Sequence, residues 1–218
     1  MKRRFMGIVA AMALCVAAAV PASASAQDPI LFVHGYVESA SLWNTMIANF
    51  EKDGYPKSYL SAYSYNTSQS NKIDAEEVKS KVEALLKNTG ATKVDIVAHS
   101  MGSLNSRYYI KNLGGEAKVD DWVSLGGPNH GTETANLCFS ASCVEMRVGS
   151  TFLKELNATD ETPGAVNYGT WWSPCDEIIN PDSSVALSGA TNTKTACISH
   201  TALTTDSTVY TQVREFVK

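Results

Sequence analysis

The chain has 218 residues, and its 18 Lys and Arg against 22 Asp and Glu leave a formal charge of −4. That acidic balance argues against nucleic acid as a partner. No internal repeat, heptad pattern, charge block or Pro/Gly-rich linker divides the sequence.

The chain opens with Lys2, Arg3 and Arg4, runs through an apolar stretch from Phe5 to Val20 and then reads "PASASAQ". This pattern predicts a secretory signal over residues 1–26, cleaved near Ala26 after Ala24-Ser25-Ala26; its apolar run is too short to span a bilayer. Its removal takes three basic residues and no acidic one, which moves the formal charge to about −7. Residues 27–218 suffice for a single catalytic domain with a real core. The expected product is secreted, extracellular and monomeric.

Beyond the signal, "ILFVHG" (30–35) reads as a buried strand ending in a turn, and 41–54 as a helix ended by Gly54. The alternation of "SYLSAYSY" (58–65) predicts a strand. In 71–90, Ala75, Val78, Val82, Leu85 and Leu86 share one helical face, with Asn71 available as cap and Gly90 as stop. A strand at 93–98, a helix at 101–113 before Gly114 and a strand at 118–125 continue the alternation. After a less regular stretch come strands at 166–173 and 194–199 and a last helix at 206–217. Strands separated by such helices imply an α/β fold with a mostly parallel central sheet and helices on both faces. In these sheets chemistry gathers beyond the carboxyl ends of the strands, where "HG", "HSMG", "GGPNHGT", "SPCD" and "SH" all fall.

The segment "VDIVAHSMGSLNS" (94–106) leaves a strand through Ser100 and enters a helix with no loop between. Ala98 and Gly102, two residues before and two after, are the small neighbours that a sharp strand-to-helix turn demands, so Ser100 is the candidate nucleophile of an elbow. A serine hydroxyl needs a base and a group to orient that base. With the order serine, acid, histidine, the base is His200, which follows the last strand, and the acid is Asp176 in "YGTWWSPCDEII". Glu177 and Asp182 are rivals: Glu177 is expected to point away if Asp176 points in, and Asp182 lies beyond the strand end. The backbone amides of Met101 and Tyr36 are the expected oxyanion donors. His34, His99 and His130 read as organisers of neighbouring loops.

Of five cysteines, Cys15 leaves with the signal, and the even remainder in an exported chain reads as two disulfides with three formal pairings. Cys138 and Cys143 are spaced for a small local loop, which leaves Cys175 with Cys197. No CxxC or histidine spacing suggests a metal.

The strings "FVHGY", "AHSMGS", "LGGPNHGT", "SPCDEII" and "ISHTAL", in that order across nearly the whole mature chain, resemble the small secreted bacterial lipases of the class 2 group, related to the compact Bacillus-type lipases. The resemblance implies a compact α/β-hydrolase core with Ser100, Asp176 and His200 as triad and with Tyr36 and Met101 as oxyanion donors. Larger lipases of related type carry a structural calcium near the acid and histidine loops; no matching acid precedes His200, so neither metal nor cofactor is expected. Residues 132–165, with "LCFSASC", are expected to shape the acyl pocket or form a small flap.

The sequence therefore predicts a serine carboxylic-ester hydrolase working through an acyl-enzyme, foremost a triacylglycerol lipase. Tyr36, Met101 and Leu137 are expected to line the acyl cleft, and its partners to be a lipid or ester substrate met through transient contact with a lipid interface. A short-chain esterase or polyester hydrolase would use the same machinery. A catalytically silent lipid-binding relative, or a chaperone-like partner on the same fold, is the reading of another class, and the complete Ser, Asp and His set argues against it.

Overall fold

The computed structural model of the chain describes Met1 and residues 27–217; the expected signal segment lies outside the described residues. Six strands form one sheet, β1 (Ile30–Val33), β2 (Leu60–Ala62), β3 (Val94–His99), β4 (Val119–Leu125), β5 (Asn167–Trp172) and β6 (Thr191–Lys194). Their order is β2-β1-β3-β4-β5-β6, and every neighbouring pair is parallel. The central strands β1 and β3 are buried along their whole length, as apolar runs covered on both faces must be.

Side chains alternate across a strand, so the inner strands supply two cores, one on each face. Leu31, Val33, Ile96 and Ala98 meet Ala75, Val78, Val82 and Leu85 of α2 (Asn71–Thr89) and Tyr109 and Ile110 of α3 (Gly102–Asn112). Ile30, Phe32, Val97 and Val123 meet Met46 and Phe50 of α1 (Asn44–Lys52) and Val209 and Val213 of α6 (Ser207–Phe216). Helices thus cover both faces, the arrangement that the alternation of strands and helices implied. Among the described residues no helix is long and apolar enough to cross a membrane.

Several boundaries differ from expectation for identifiable reasons. The first helix begins as a 3-10 turn over Ala40–Trp43. The second strand shrinks to three residues because it is an edge bonded only to β1. The cap of α2 is Ser70, whose Oγ accepts the Lys72 N–H at 3.2 Å, while the Asn71 amide donates to Glu145 at 2.9 Å. The last strand is the polar, largely exposed "TNTK" of 191–194, not 194–199. There Ser173 takes over from the ladder: its Oγ donates to the Ile198 carbonyl and accepts the Ile198 N–H, at 2.6 and 3.0 Å.

The irregular stretch holds two short helices, α4 (Ala141–Met146) and α5 (Thr151–Leu156). Ser140 and Ser150 cap them by accepting the Cys143 and Leu153 N–H groups. Their apolar sides pack on Met101 and Leu104 and form a third core above the carboxyl end of the sheet.

Candidate active site

β3 ends at His99 and α3 begins at Gly102 after Met101, whose backbone is already helical at φ −53°, so Ser100 makes the reversal of direction. It does so at φ +53°, a left-handed conformation that costs a non-glycine residue about 1–3 kcal/mol and persists only where surrounding structure enforces it. The Ser100 N–H donates to the Leu125 carbonyl at 2.9 Å, and the Ser103 N–H donates to the Ser100 carbonyl. A Cβ on Gly102 would lie 2.5 Å from the Val33 carbonyl oxygen, and one on Gly35 would lie 2.6 Å from Ser100 Cβ. The small residues are therefore required by the close approach of β1 and its turn to the elbow.

Asp176 follows the end of β5. Its Oδ1 accepts the N–H groups of Ile178 and Ile179, each at 2.9 Å, and its Oδ2 accepts from His200 Nδ1 at 2.7 Å. Burial pushes the Asp176 carboxyl up, but the hydrogen bond and charge of His200 and the two amides outweigh it, so the group sits below the ordinary aspartate value. Burial also holds His200 below the ordinary histidine value and nearby His99 lowers it further, against the opposing pull of Asp176 and Glu38. With Nδ1–H committed to Asp176, the other ring nitrogen is left as a lone-pair base.

Ser100 and His200 line one cleft together with Tyr36, Glu38, Leu137 and Ile178. No hydrogen bond joins Ser100 Oγ to His200 Nε2, and neither atom has a hydrogen-bond partner among the described residues. Catalytic contacts of this kind commonly tighten only when substrate is bound. The amides of Tyr36 and Met101 likewise donate to no protein acceptor among the described residues, which leaves two N–H groups free beside the serine.

The cleft has an outer groove of about 480 Å³ and a smaller inner arm of about 70 Å³, whose walls include Tyr36, Thr132, Ala135, Cys138, Met146 and Ile179. Leu137 is 82% exposed at the groove. Met101 was expected to line the cleft with its side chain, but that side chain is fully buried in the third core beneath α4 and α5, so only its backbone reaches the site. A more voluminous recess of about 550 Å³ borders α4 and α5, lined by Lys72, Glu145, Arg147 and Glu155 among others; it touches none of Ser100, Asp176 or His200.

Glu177 does not turn away: its Oε2 accepts the His200 N–H at 3.0 Å and holds the backbone of that residue. Asp182 lies in a 3-10 turn over Asp182–Val185 and is not bonded to His200. His130 contacts Glu161 at 2.7 Å, and His34 donates to the Gly35 carbonyl at 2.8 Å, both in loops. Sequence reading missed Glu38, whose carboxylate meets both the Gly35 N–H and His99 inside the cleft. Cys138 is bonded to Cys143 and Cys175 to Cys197. Among the described residues, no group of three or more His, Cys, Asp or Glu is placed to hold a metal ion.

A family profile described as "Lipase (class 2)" matches residues 27–216. Phospholipid:diacylglycerol acyltransferase 1 of Arabidopsis thaliana is 28% identical over 128 residues, which is 56% of this chain but only 17% of that relative. Among solved structures, Bacillus licheniformis lipase BlEst2 in mature form superposes with a TM-score of 0.79 at 19% identity, covering 92% of this chain and 96% of the other. Aspergillus fumigatus lipase B gives 0.70 at 16% identity, over 84% of this chain and 51% of its own. At such identities the superpositions speak to the fold.

Proposed function

The chain belongs to the class 2 lipase family, and from that premise we propose that it is a serine carboxylic-ester hydrolase that acts on triacylglycerols through an acyl-enzyme. The observation that carries this reading is the 2.7 Å contact of His200 Nδ1 with a doubly anchored Asp176, in the cleft that also holds Ser100 on its strained turn. Ser100 Oγ attacks the ester carbonyl while His200 Nε2 takes its proton. The carbonyl oxygen becomes an oxyanion held by the amides of Tyr36 and Met101. On collapse, the bond to the alcohol breaks and His200 returns the proton to that leaving oxygen. Water then repeats the sequence on the acyl-Ser100 ester and releases the carboxylic acid. Asp176 keeps His200 in the productive tautomer and stabilises its cation.

The exposed apolar side chains of Val37, Leu137, Phe139 and Ile178 favour transient contact with a lipid surface, since Val37, Leu137 and Ile178 rim the groove itself. The small volume of the inner arm favours a second reading, an esterase for short acyl chains. Two disulfides support an oxidising, extracellular destination. We further infer a monomeric catalytic domain over 27–218, released from a signal segment cleaved near Ala26.

The test is turnover of p-nitrophenyl esters of increasing chain length beside a triglyceride emulsion, with labelling by an active-site phosphonate. Label on Ser100 with hydrolysis of the emulsion is the expected result. Activity confined to short esters would select the second reading. A protein that takes no label and turns over no ester would be the silent lipid-binding relative.

A further inference from the structure

Two ionisable side chains stand inside this machinery without a part in the chemistry just described. His99, the residue before Ser100, is fully buried, with Nδ1 2.9 Å from Glu38 Oε2 and Nε2 3.2 Å from the carbonyl oxygen of His200. The same Glu38 oxygen accepts the Gly35 N–H at 2.7 Å. One carboxylate oxygen is therefore shared between the turn that carries the Tyr36 amide and the ring that reaches the backbone of the candidate base. The rings of His99 and His200 lie 4.5 Å apart, each with its own carboxylate.

A carboxylate lining the cleft would oppose the negative charge that develops on a substrate oxygen, unless something compensates it. The Glu38 oxygen is turned instead onto the Gly35 N–H and the His99 ring. Both His99 ring nitrogens face oxygen atoms, one of Glu38 and one of the His200 backbone. Burial pushes the Glu38 carboxyl up, but the His99 contact and the Gly35 N–H prevail and hold it below the ordinary glutamate value. The turn itself needs holding, because Val37 sits at φ +54°, which is strained for a β-branched residue. Its N–H is fixed by Thr67 Oγ1 at 3.2 Å.

We propose that Glu38 and His99 are positioning residues for the reaction: Glu38 fixes the Gly35–Tyr36 turn so that the Tyr36 amide meets the oxyanion, and His99 fixes the backbone of His200 beside Ser100. The proposal rests on the reading of Ser100 and His200 as nucleophile and base. It gives the first turn, the nucleophile strand and the histidine loop one common anchor, although 61 residues separate Glu38 from His99 and 101 separate His99 from His200.

The test compares wild type with Glu38→Ala, Glu38→Gln and the pair Glu38→Ala with His99→Gln. It reads kcat and KM on p-nitrophenyl butyrate and the inhibition constant of a trifluoromethyl ketone, which adds to the serine and places an oxyanion in the hole. Glu38→Ala is expected to lower kcat about 10- to 100-fold, less than the loss of an oxyanion donor itself, with KM within about twofold. Ketone binding should weaken by the same factor. Glu38→Gln keeps the shape and one acceptor for the Gly35 N–H, so it should recover much of the loss. The double replacement should cost less than the product of the single effects. A Glu38→Ala protein with wild-type kcat, unchanged ketone binding beside a reduced kcat, or multiplicative effects in the pair would overturn the proposal. Should Glu38→Ala not fold, Glu38→Gln decides through the match between its kcat and ketone losses. A wild-type protein that neither hydrolyses the ester nor binds the ketone would instead remove the ester-hydrolase reading on which all of this stands.

Discussion

At Ser100 the backbone itself is bent into a conformation that an ordinary serine avoids, so the hydroxyl is presented at a cost the surrounding strands absorb. Ser100→Ala leaves that backbone and its neighbours in place; it should lower turnover by about 10⁶ while the melting temperature stays near wild type, measured by ester hydrolysis and thermal unfolding. Asp176→Asn should lower kcat by about four orders of magnitude without unfolding the chain, because an amide no longer selects the His200 tautomer. Asp182→Asn should leave kcat unchanged, and a severe loss there beside a mild one at Asp176 would move the acid. Since His200 lies below the ordinary histidine value of 6.5, its base form persists into mildly acidic solution. The acid limb of kcat/KM should therefore have its midpoint below 6.5, and a midpoint above it would contradict the burial of the ring. The sharp turn at Ser100 was legible because small residues bracket it between an apolar strand and a helix. Glu38 was not, because its partner His99 is brought to it by the sheet and nothing in "HGYVE" announces the contact.

Elements with a strong period were legible nearly to their ends, since β1, β3, α2 and α3 each bury a continuous run or a face. β6 was hidden because an exposed polar edge strand has no apolar alternation, whereas the following "TACIS" has more apolar character and no ladder. α4 and α5 are helices of only six residues each, whose only local signals are the serines at their starts. The loop from β6 to His200 is held by side chains and a disulfide in place of strand pairing. Cys175 adjoins Asp176 and Cys197 lies three residues before His200, with a sequence separation of 22. In the chain-entropy view such a loop contributes about 3 kcal/mol. Replacing both cysteines by serine should lower the denaturant midpoint and reduce kcat, whereas the same change at Cys138 and Cys143 should chiefly alter ester preference at the groove. Unchanged kcat in the Cys175 and Cys197 pair would mean that Glu177, Ser173 and Asp176 alone hold the histidine loop.

Across the whole molecule the two ends of the sheet carry opposite burdens. The carboxyl ends of the strands hold the site, while near the amino ends Asp95 is buried at 2% exposure and its carboxyl is pushed well above the ordinary value, first by burial and then by Asp121 and Asp28. Asp121 is pushed up to about 6, again mainly by burial. In both, the folded state keeps a proton that the unfolded chain gives up above about 3.8. Their contribution is thus fully present below that value and is lost as pH rises through the folded value. Asp95→Asn keeps the oxygen that accepts the Asp121 N–H and should raise the melting temperature more at pH 8 than at pH 5. An equal change at both would assign the effect to something other than charge. The third core has a different consequence. The segment from Thr132 to Leu156 supplies Thr132, Ala135, Cys138 and Met146 to the inner arm and Leu137 to the groove, yet it contributes no strand to the sheet and neither the proposed base nor the proposed nucleophile. Changes confined to this segment would therefore alter the walls an ester meets while leaving Ser100, Asp176 and His200 on the strands and loops that carry them.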